Sequence, residues 1–305
     1  FGIQEDDQIA VLEMGINTFG EMHRLSEVAK PDICVMTNIG QCHLENLIDR
    51  DGILRAKSEI FDFMNPKGMV VVNGDDDKLA TIHEVYGKAP VTFGMNKQNA
   101  IWADHIENRG LLGSCADIHM GDAVVHAIIP LPGEHMIYNA MAAAAVALQF
   151  GMSKEEIAAG ISHVEAVAGR SHLVEAGDKV IIDDCYNANP VSMKAAIDLL
   201  ATAPGRKVAI LGDMFELGEN EKAMHGEVGE YAAEKGIDLI LCVGELSEAM
   251  YQEAVGSGGN AKYYETREAL EAVLNEILQQ GDTVLVKASH GMAFENLVKC
   301  IQVNQ

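Results

Sequence analysis

The segment 183–193, which reads DDCYNANPVSM, contains the side chains of this chain that are best suited to binding or chemistry. Its candidate groups are a carboxylate, a phenol and two amides: Asp184, Tyr186, Asn187 and Asn189. A β-branched run at 180–182 predicts a buried strand before them, and Pro190 predicts the start of a helix after them. Open α/β sheets bind ligands at the carboxyl ends of their strands. The segment therefore predicts a ligand-binding turn between a strand and a helix.

A second set of polar side chains follows two strands predicted near the start of the chain. Glu13 follows a predicted strand at 8–12, and His43 follows another at 32–37. Neighbouring parallel strands would place the carboxylate and the imidazole at one sheet edge, where they can hold a divalent cation beside phosphates. Imidazole is an unusual ligand for Mg²⁺, so a capping glutamate and a surface histidine remain an alternative. Lys57 lies on a predicted helix, where solvated lysines are common.

Polar residues also occur at a helix start, at a predicted domain junction and after the later strands. Asn139, behind the loop that contains His135, enters an alanine-rich helix as either a cap or a ligand contact. Arg170 can reach a phosphate or form a surface salt bridge. The polar groups after the later strands are Asp213, Glu216, His225, Lys287, Ser289 and His290. Several polar strand ends within one domain predict a functional rim.

The hydrophobic pattern predicts an α/β scaffold in two parts, with a boundary near residue 167. Residues 1–167 alternate strands and helices, which predicts a mostly parallel sheet, and short alternating strands over 91–131 predict a small antiparallel extension. Residues 168–305 restart the alternation and predict a second, doubly wound domain. Its predicted strands lie at 179–184, 207–212, 238–243, 261–264 and 283–288. Its predicted helices lie at 191–202, 219–235, 246–255, 267–279 and 292–303.

Composition narrows the classes of protein that this chain can belong to. The formal net charge of −24 over 305 residues argues against a general nucleic-acid binder, which needs a basic face. The sequence contains no apolar run of about 20 residues and no signal segment, so we expect no membrane span and a cytoplasmic location. The six cysteines form no CxxC pair, which favours reduced, mostly buried thiols. Because the chain opens on Phe1, we expect that further residues precede it in the natural protein.

Taken in order, the motifs resemble the Mur ligases that add D-alanyl-D-alanine to the peptidoglycan precursor. The most specific segments are TNIG and HLE within 37–45, DCYNANP at 184–190, and LGDMFELG at 211–218. The resemblance implies an N-terminally incomplete central ATP-binding domain at 1–167, followed by a Rossmann-like ligase domain at 168–305. The family's GxxGKT phosphate-binding loop does not occur in this sequence, nor does its UDP-binding domain. We therefore expect this chain by itself to be inactive.

The resemblance also implies a reaction and its ligands. The family uses ATP and Mg²⁺ to activate the terminal carboxylate of UDP-N-acetylmuramoyl-tripeptide as an acyl phosphate. The amine of D-alanyl-D-alanine then attacks, and phosphate leaves. These substrates are the expected partners, with no nucleic acid among them, and we expect a monomer.

The family's functional residues carry over to matching positions of this sequence. Glu13 and His43 would bind Mg²⁺, and a carbamylated Lys57 would bind a second Mg²⁺ because carbamylation turns the cation into an anion. Lys57, His43 and Arg170 are the expected catalytic residues. The expected ATP contacts are Asn139 and His135 near adenine, Asp184 at the ribose and Arg170 at the terminal phosphate. Residues near the dipeptide or the nucleotide would be Tyr186, Asn187, Asn189, Asp213, Glu216 and Ser289.

Three departures from the family pattern leave other functions open. Met136 stands where an asparagine usually follows the histidine, and His290 and Ala293 replace residues that are commonly basic. Together with the missing phosphate-binding loop, they allow a non-catalytic nucleotide- or peptide-binding protein that keeps the fold. A Mur-type or folylpolyglutamate-type ligase for another amino acid is a further alternative, which the YNANP turn disfavours. A dinucleotide-dependent oxidoreductase fits the second domain but lacks the GxGxxG fingerprint.

Overall fold

The computed structural model describes residues 2–41 and 44–303, and two six-stranded sheets dominate this part of the chain. The first sheet keeps its strands in chain order, with β1 to β4 parallel and β4 to β6 antiparallel. Its strands are β1 (Ile33–Met36), β2 (Met69–Asn73), β3 (Val91–Gly94), β4 (Ile101–Asn108), β5 (Ser114–Met120) and β6 (Ala123–Ile129). The predicted α/β class with a small antiparallel extension is therefore confirmed.

The second sheet has the strand order β11-β10-β9-β12-β8-β7. Its pairs are parallel except for β7 and β8, which form an antiparallel hairpin at one edge. The strands are β7 (His172–Ala176), β8 (Lys179–Asp183), β9 (Lys207–Gly212), β10 (Leu239–Val243), β11 (Ala261–Tyr264) and β12 (Thr283–Lys287). The five strands predicted for this region are all present, and β7 is an additional strand that the pattern did not predict.

The α-helices in the described ranges connect these strands and cover the sheets. They are α1 (Glu21–Ala29), α2 (Leu44–Leu47), α3 (Arg50–Ser58), α4 (His135–Gln149), α5 (Lys154–Ser162), α6 (Pro190–Ala201), α7 (Glu221–Glu234), α8 (Ser247–Gly256), α9 (Arg267–Glu271), α10 (Leu274–Ile277) and α11 (Glu295–Val303). None of the helices in these ranges is long and apolar enough to cross a lipid bilayer. The predicted domain boundary near residue 167 falls between α5 and β7.

The central parallel strands β2, β9, β10 and β12 are buried on both faces, as near-continuous apolar strands predict, whereas β6 alternates buried and exposed residues. In β2, Val71 belongs to one hydrophobic core, whereas Val70 and Val72 belong to the core on the other face. In β9, Leu211 and Ile210 likewise point into two different cores. This alternation follows from the two-residue period of a strand, and it leaves the strand ends as the places where polar side chains gather.

The predicted strand at 8–12 is wrong, because these residues form no regular structure and are exposed to solvent. Val11 is 93 % exposed, although its β-branched side chain favours a strand. A strand needs a hydrogen-bonded neighbour, and none of the described strands pairs with this segment. Glu13 therefore does not stand at the end of a strand.

Candidate functional site

The loop after β1 is fixed by side chains from the neighbouring strand end. The Asn73 amide donates to the carbonyl oxygen of Thr37 over 3.1 Å, and the Ile39 N–H donates to the Asp76 carboxylate over 2.8 Å. From α3, the Arg50 Nε donates to the carbonyl oxygen of Ile39 over 2.8 Å. The backbone carrying the TNIG motif is thus held in one position at the carboxyl end of the first sheet. The sequence pattern did not identify Arg50 or Asp76 as residues that fix this loop. Asp76 lies in an acidic turn after a strand, which was its only signal.

Lys57 reaches this same loop from α3. Its Nζ donates to the carbonyl oxygen of Asn38 over 3.2 Å, in a solvent-exposed setting. Among the described residues, no hydrogen bond or ion pair joins Lys57 to Glu13. His43, the third residue predicted for the metal site, lies outside the described residues. The three-residue metal site therefore stays a prediction.

Glu13 and Arg170 meet although they are 157 positions apart. The Arg170 Nη2 lies 3.4 Å from Glu13 Oε1, and its guanidinium carbon lies 4.2 Å from the centre of the Tyr186 ring. The Tyr186 and His290 rings are 5.8 Å apart. A cation held over an aromatic face is restricted in direction but remains able to bind an anion from solvent. This group brings a carboxylate, a guanidinium and an aromatic ring from both halves of the chain to one exposed place.

Asp184 and Lys287 form a nearly buried ion pair at the start of the turn that carries Tyr186. The Lys287 Nζ lies 2.6 Å from Asp184 Oδ2 and donates to the carbonyl oxygen of Asn187 over 2.8 Å. The other Asp184 oxygen accepts the Ser171 N–H over 2.9 Å. The side chain of Lys287 is 3 % exposed. The Lys287 ammonium thus fixes the backbone of the YNANP turn at Asn187.

The same turn starts α6 through a reciprocal cap. The Asn189 side chain accepts the Ser192 N–H over 2.9 Å, and Ser192 Oγ accepts the Asn189 N–H over 3.0 Å. Pro190 is the first residue of the helix, as predicted. The side-chain oxygen of Asn187 accepts the Ala188 N–H over 2.8 Å. The two asparagines therefore shape the turn, while Tyr186 is the half-exposed side chain on its surface.

Asp213 and Ser289 bond to the protein itself at the next strand ends. The buried Asp213 carboxylate accepts the N–H and the hydroxyl of Ser247 at the start of α8, over 2.8 and 2.7 Å. Ser289 Oγ accepts the Phe215 N–H over 2.9 Å. Glu216 is exposed and has a left-handed backbone, with a φ of 62°. Their predicted roles in substrate binding stay predictions.

The start of α4 carries the residues predicted near adenine. Gly133 has a φ of 103°, and a Cβ there would lie 2.5 Å from the His135 ring, so glycine permits this packing. The Asn139 amide is exposed and lies 3.4 Å from the sulfur of Met136. His135 and Asn139 are four positions apart on α4, so their side chains lie on one side of the helix.

Two family descriptions match successive parts of the chain. The Mur ligase middle domain matches residues 2–147, and the Mur ligase, glutamate ligase domain matches residues 169–290. This chain belongs to the Mur ligase family. The predicted resemblance to the members that add D-alanyl-D-alanine is also confirmed by the relatives described next.

The relatives of this chain include two bacterial ligases. The UDP-N-acetylmuramoyl-tripeptide--D-alanyl-D-alanine ligase of Escherichia coli (strain K12) is 34 % identical over 97 % of this chain. The enzyme of the same name from Bacillus subtilis (strain 168) is 35 % identical over 97 % of this chain. The chain spans 65 % and 64 % of their respective lengths.

Solved structures share the fold of this Mur ligase. A crystal structure of MurF from Acinetobacter baumannii superposes with a TM-score of 0.89 at 31 % identity, over 99 % of this chain and 66 % of that one. MurF ligase from Thermotoga maritima, in complex with ADP, has a TM-score of 0.80 at 24 % identity, over 94 % of this chain and 65 % of that one. At the lower identity the likeness shows the fold alone.

His225 fixes the 213–218 loop of this Mur ligase from inside the protein. It is fully buried; its Nε2 accepts the Met214 N–H over 2.8 Å, and its Nδ1 donates to the carbonyl oxygen of Glu221 over 2.7 Å. Burial lowers the pKa of this imidazole, so the folded chain keeps it neutral. The sequence pattern predicted that His225 belongs to the functional rim. In the structure it is buried and holds the 213–218 loop through its hydrogen bond to Met214.

This burial predicts a pH dependence of stability. Below about pH 6.5, His225 becomes protonated in the unfolded chain but stays neutral in the folded chain. The unfolded state therefore binds more protons, and the free energy of unfolding falls as the pH falls. A His225→Gln variant removes this titration and should vary less in stability between pH 7 and pH 5.5. Urea unfolding at several pH values measures the difference. His83→Gln, at an exposed histidine, is the matched control, and equal pH slopes for all three proteins would contradict the prediction.

Proposed function

We propose that this chain supplies the ATP-binding and amide-forming parts of a ligase that joins D-alanyl-D-alanine to UDP-N-acetylmuramoyl-tripeptide. The observation that carries the proposal is the meeting of Glu13 with Arg170 and Tyr186 at an exposed place between the two sheets. The names of the relatives supply the substrates. The cytoplasmic location and the monomeric state stay predictions.

The proposed reaction forms an acyl phosphate and then an amide. The terminal carboxylate oxygen of the tripeptide attacks the γ-phosphorus of ATP, and ADP leaves. The amine of D-alanyl-D-alanine next attacks the acyl carbon, loses its proton, and the tetrahedral intermediate expels phosphate. Both steps bring anionic groups together, so the protein must align them and neutralise their charge. Arg170 is the described side chain best placed to do this, because it is half-exposed and permanently charged.

The side chains present are compatible with Mg²⁺ at this place. The Glu13 carboxylate is 86 % exposed, and within residues 2–41 and 44–303 its contact is the 3.4 Å approach to Arg170, so its oxygens remain available to a cation. Lys57 Nζ contacts the carbonyl oxygen of Asn38 in a solvent-exposed setting and is accessible to carbamylation. When bound, Mg²⁺ would neutralise phosphate charge. Glu13, His43 and a carbamylated Lys57 are the residues proposed to hold it.

The proposed nucleotide contacts depend on which hydrogen-bonding positions of each side chain the protein leaves open. A carboxylate offers about four acceptor sites, and the backbone and hydroxyl of Ser171 and the Lys287 ammonium account for three on Asp184. As far as the described part of the chain goes, one site therefore remains for a ribose hydroxyl. The exposed amide of Asn139 and the nearby His135 are proposed to contact adenine.

The proposal is tested by assaying the full product of the gene that encodes this chain. We expect one ADP, one phosphate and one new amide per turnover, formed only when ATP, UDP-N-acetylmuramoyl-tripeptide and D-alanyl-D-alanine are all present. Glu13→Gln should lower kcat about 10- to 100-fold because the cation loses a charged ligand. Glu5→Gln, at an exposed glutamate outside the site, should match the parent.

Other outcomes of this assay separate the competing functions. Nucleotide binding without amide formation, for any of these substrates, would favour a non-catalytic binding protein. Amide formation with a different amino acid in place of the dipeptide would favour another type of Mur ligase. We expect the 305-residue chain by itself to show no turnover, because its sequence contains no GxxGKT loop to hold the β- and γ-phosphates.

A further inference from the structure

Three histidines and two aspartates lie together on the outer face of the antiparallel extension formed by β4, β5 and β6. We call this group the His–Asp cluster: Asp104, His105, Asp117, His119 and His126. None of its members belongs to the candidate site described above. Clusters of imidazole and carboxylate groups are the ligand sets that divalent transition metals use in proteins.

The strand register explains why these side chains share one face. Asp104 of β4 pairs with Asp117 of β5, which in turn pairs with His126 of β6. His119 lies two residues after Asp117, so it points to the same side of the sheet. The residues between them, such as Ile118, are buried on the opposite face. The cluster is therefore a consequence of pairing three strands whose outward positions carry ligating side chains.

A break in the β4 register brings His105 into the cluster. The pairing of β4 with β5 shifts between Asp104 and Glu107, and His105 has a left-handed φ of 48°. Regular alternation would turn His105 away from the face that Asp104 occupies. The irregularity instead re-aims the imidazole toward both carboxylates, which is a common effect of a β-bulge.

The potential ligand atoms of Asp104, His105 and Asp117 lie within 4.8 Å of one another. The Nδ1 of His105 is 2.9 Å from Asp117 Oδ2 and 3.4 Å from Asp104 Oδ1. Ligands at about 2.0–2.1 Å from a tetrahedral Zn²⁺ are roughly 3.3 Å apart, so these atoms need only small shifts. Two of the three separations are thus close to that of a tetrahedral ion, and the third is within 4.8 Å.

The remaining two histidines orient the carboxylates. The Nε2 of His119 lies 2.8 Å from Asp104 Oδ1, and the Nδ1 of His126 lies 2.8 Å from Asp117 Oδ1. Either imidazole can become a fourth ligand or remain a hydrogen-bonding partner behind the ligands. Lys97 is a weak competitor of a metal ion for Asp104. Its Nζ lies 3.3 Å from Asp104 Oδ2, and its side chain is 70 % exposed to solvent.

We propose that the His–Asp cluster binds one divalent transition-metal ion of the Zn²⁺ type. Asp104, His105 and Asp117 provide the ligands, and His119 or His126 completes the set. Imidazole nitrogen selects Zn²⁺ and its neighbours over Mg²⁺ and Ca²⁺, which prefer oxygen. The ion ties β4 to β5 and so stabilises the antiparallel extension in the folded state.

The chain carries its own optical probe for this site. Trp102 is the sole tryptophan of the sequence, and its ring stacks on His119 with a centroid distance of 3.6 Å and an interplanar angle of 2°. A paramagnetic Co²⁺ ion in the cluster should therefore quench the tryptophan fluorescence. Tetrahedral Co²⁺ should also give visible absorption bands.

The test titrates the chelator-treated full chain with Zn²⁺ by calorimetry and with Co²⁺ by fluorescence and absorption. We expect one ion per chain with micromolar affinity, and a rise in Tm of about 5 °C when Zn²⁺ is present at 100 times its Kd. His105→Ala and Asp117→Asn should each weaken binding about tenfold or more. His83→Ala, at an exposed histidine outside the cluster, should bind like the parent.

Two results would overturn the proposal. One is Zn²⁺ binding that His105→Ala and Asp117→Asn leave unchanged, which would assign the ion to another place. The other is no saturable binding of Zn²⁺ or Co²⁺ at micromolar concentrations in the parent chain. Because both positions are solvent-accessible, circular dichroism of the variants should match the parent, which separates lost binding from lost folding.

Discussion

Arg170→Ala is expected to lower the kcat of amide formation about 10³-fold in the full product of the gene. In phosphoryl transfer, a guanidinium that stabilises the developing charge contributes effects of about this size. Arg170 is half-exposed and its described partners are an exposed carboxylate and an aromatic ring, so its removal should leave the fold intact. Stopped assays of phosphate release at saturating substrates measure the loss. Arg170→Lys, which keeps the charge but not the fork of donors, should recover part of it.

A second variant decides whether Arg170 acts on phosphate or only holds Glu13. If Arg170 only positions Glu13, the double variant Glu13→Gln with Arg170→Ala should be no slower than Glu13→Gln alone, because Arg170 then has nothing left to position. If it contacts phosphate, the losses should combine and the affinity for ADP should also fall. An Arg170→Ala enzyme with unchanged kcat and unchanged ADP affinity would remove Arg170 from the site.

Lys287→Met is expected to lower the free energy of unfolding by about 3 kcal/mol. The substitution leaves the Asp184 carboxylate, 14 % exposed, without the ammonium that neutralises it, and removing one member of a nearly buried pair costs about 3–5 kcal/mol. It also leaves the carbonyl oxygen of Asn187 without its donor. Urea unfolding followed by far-UV circular dichroism measures the change.

Two further variants show whether the ion pair is the cause. The double variant Asp184→Asn with Lys287→Met should be more stable than Lys287→Met alone, because no unpaired charge remains. Lys179→Met on β8 is the matched control. The side chain of its partner Asp178 is 42 % exposed, so solvent screens the pair and the loss should stay below about 1 kcal/mol. A Lys287→Met chain as stable as the control would show that the pair contributes little.

Much of the second sheet could be predicted because its signals are local. The strands at 207–212 and 261–264 were predicted at their observed bounds. The apolar run 208–211 marks a buried parallel strand, whereas 261–264 is a half-buried edge strand. Pro190 starts α6 as predicted, because proline suits the first turn of a helix, whereas the cap by Asn189 was found only in the structure. The strand predicted at 8–12 failed for the opposite reason, since pairing with another strand is not encoded within five residues.

By itself, then, the sequence determined the α/β class, five strands of the second sheet, the start of α6 at Pro190 and the family to which the chain belongs. Only the tertiary structure decided that Glu13 meets Arg170 over 157 positions and that Lys287 pairs with Asp184 over 103 positions. It also decided that buried His225 supports the 213–218 loop and that the five side chains of the His–Asp cluster lie together on the exposed face of the first sheet. Propensity, periodicity and caps act over a few residues, whereas the partner of a charged side chain is set by how distant elements pack.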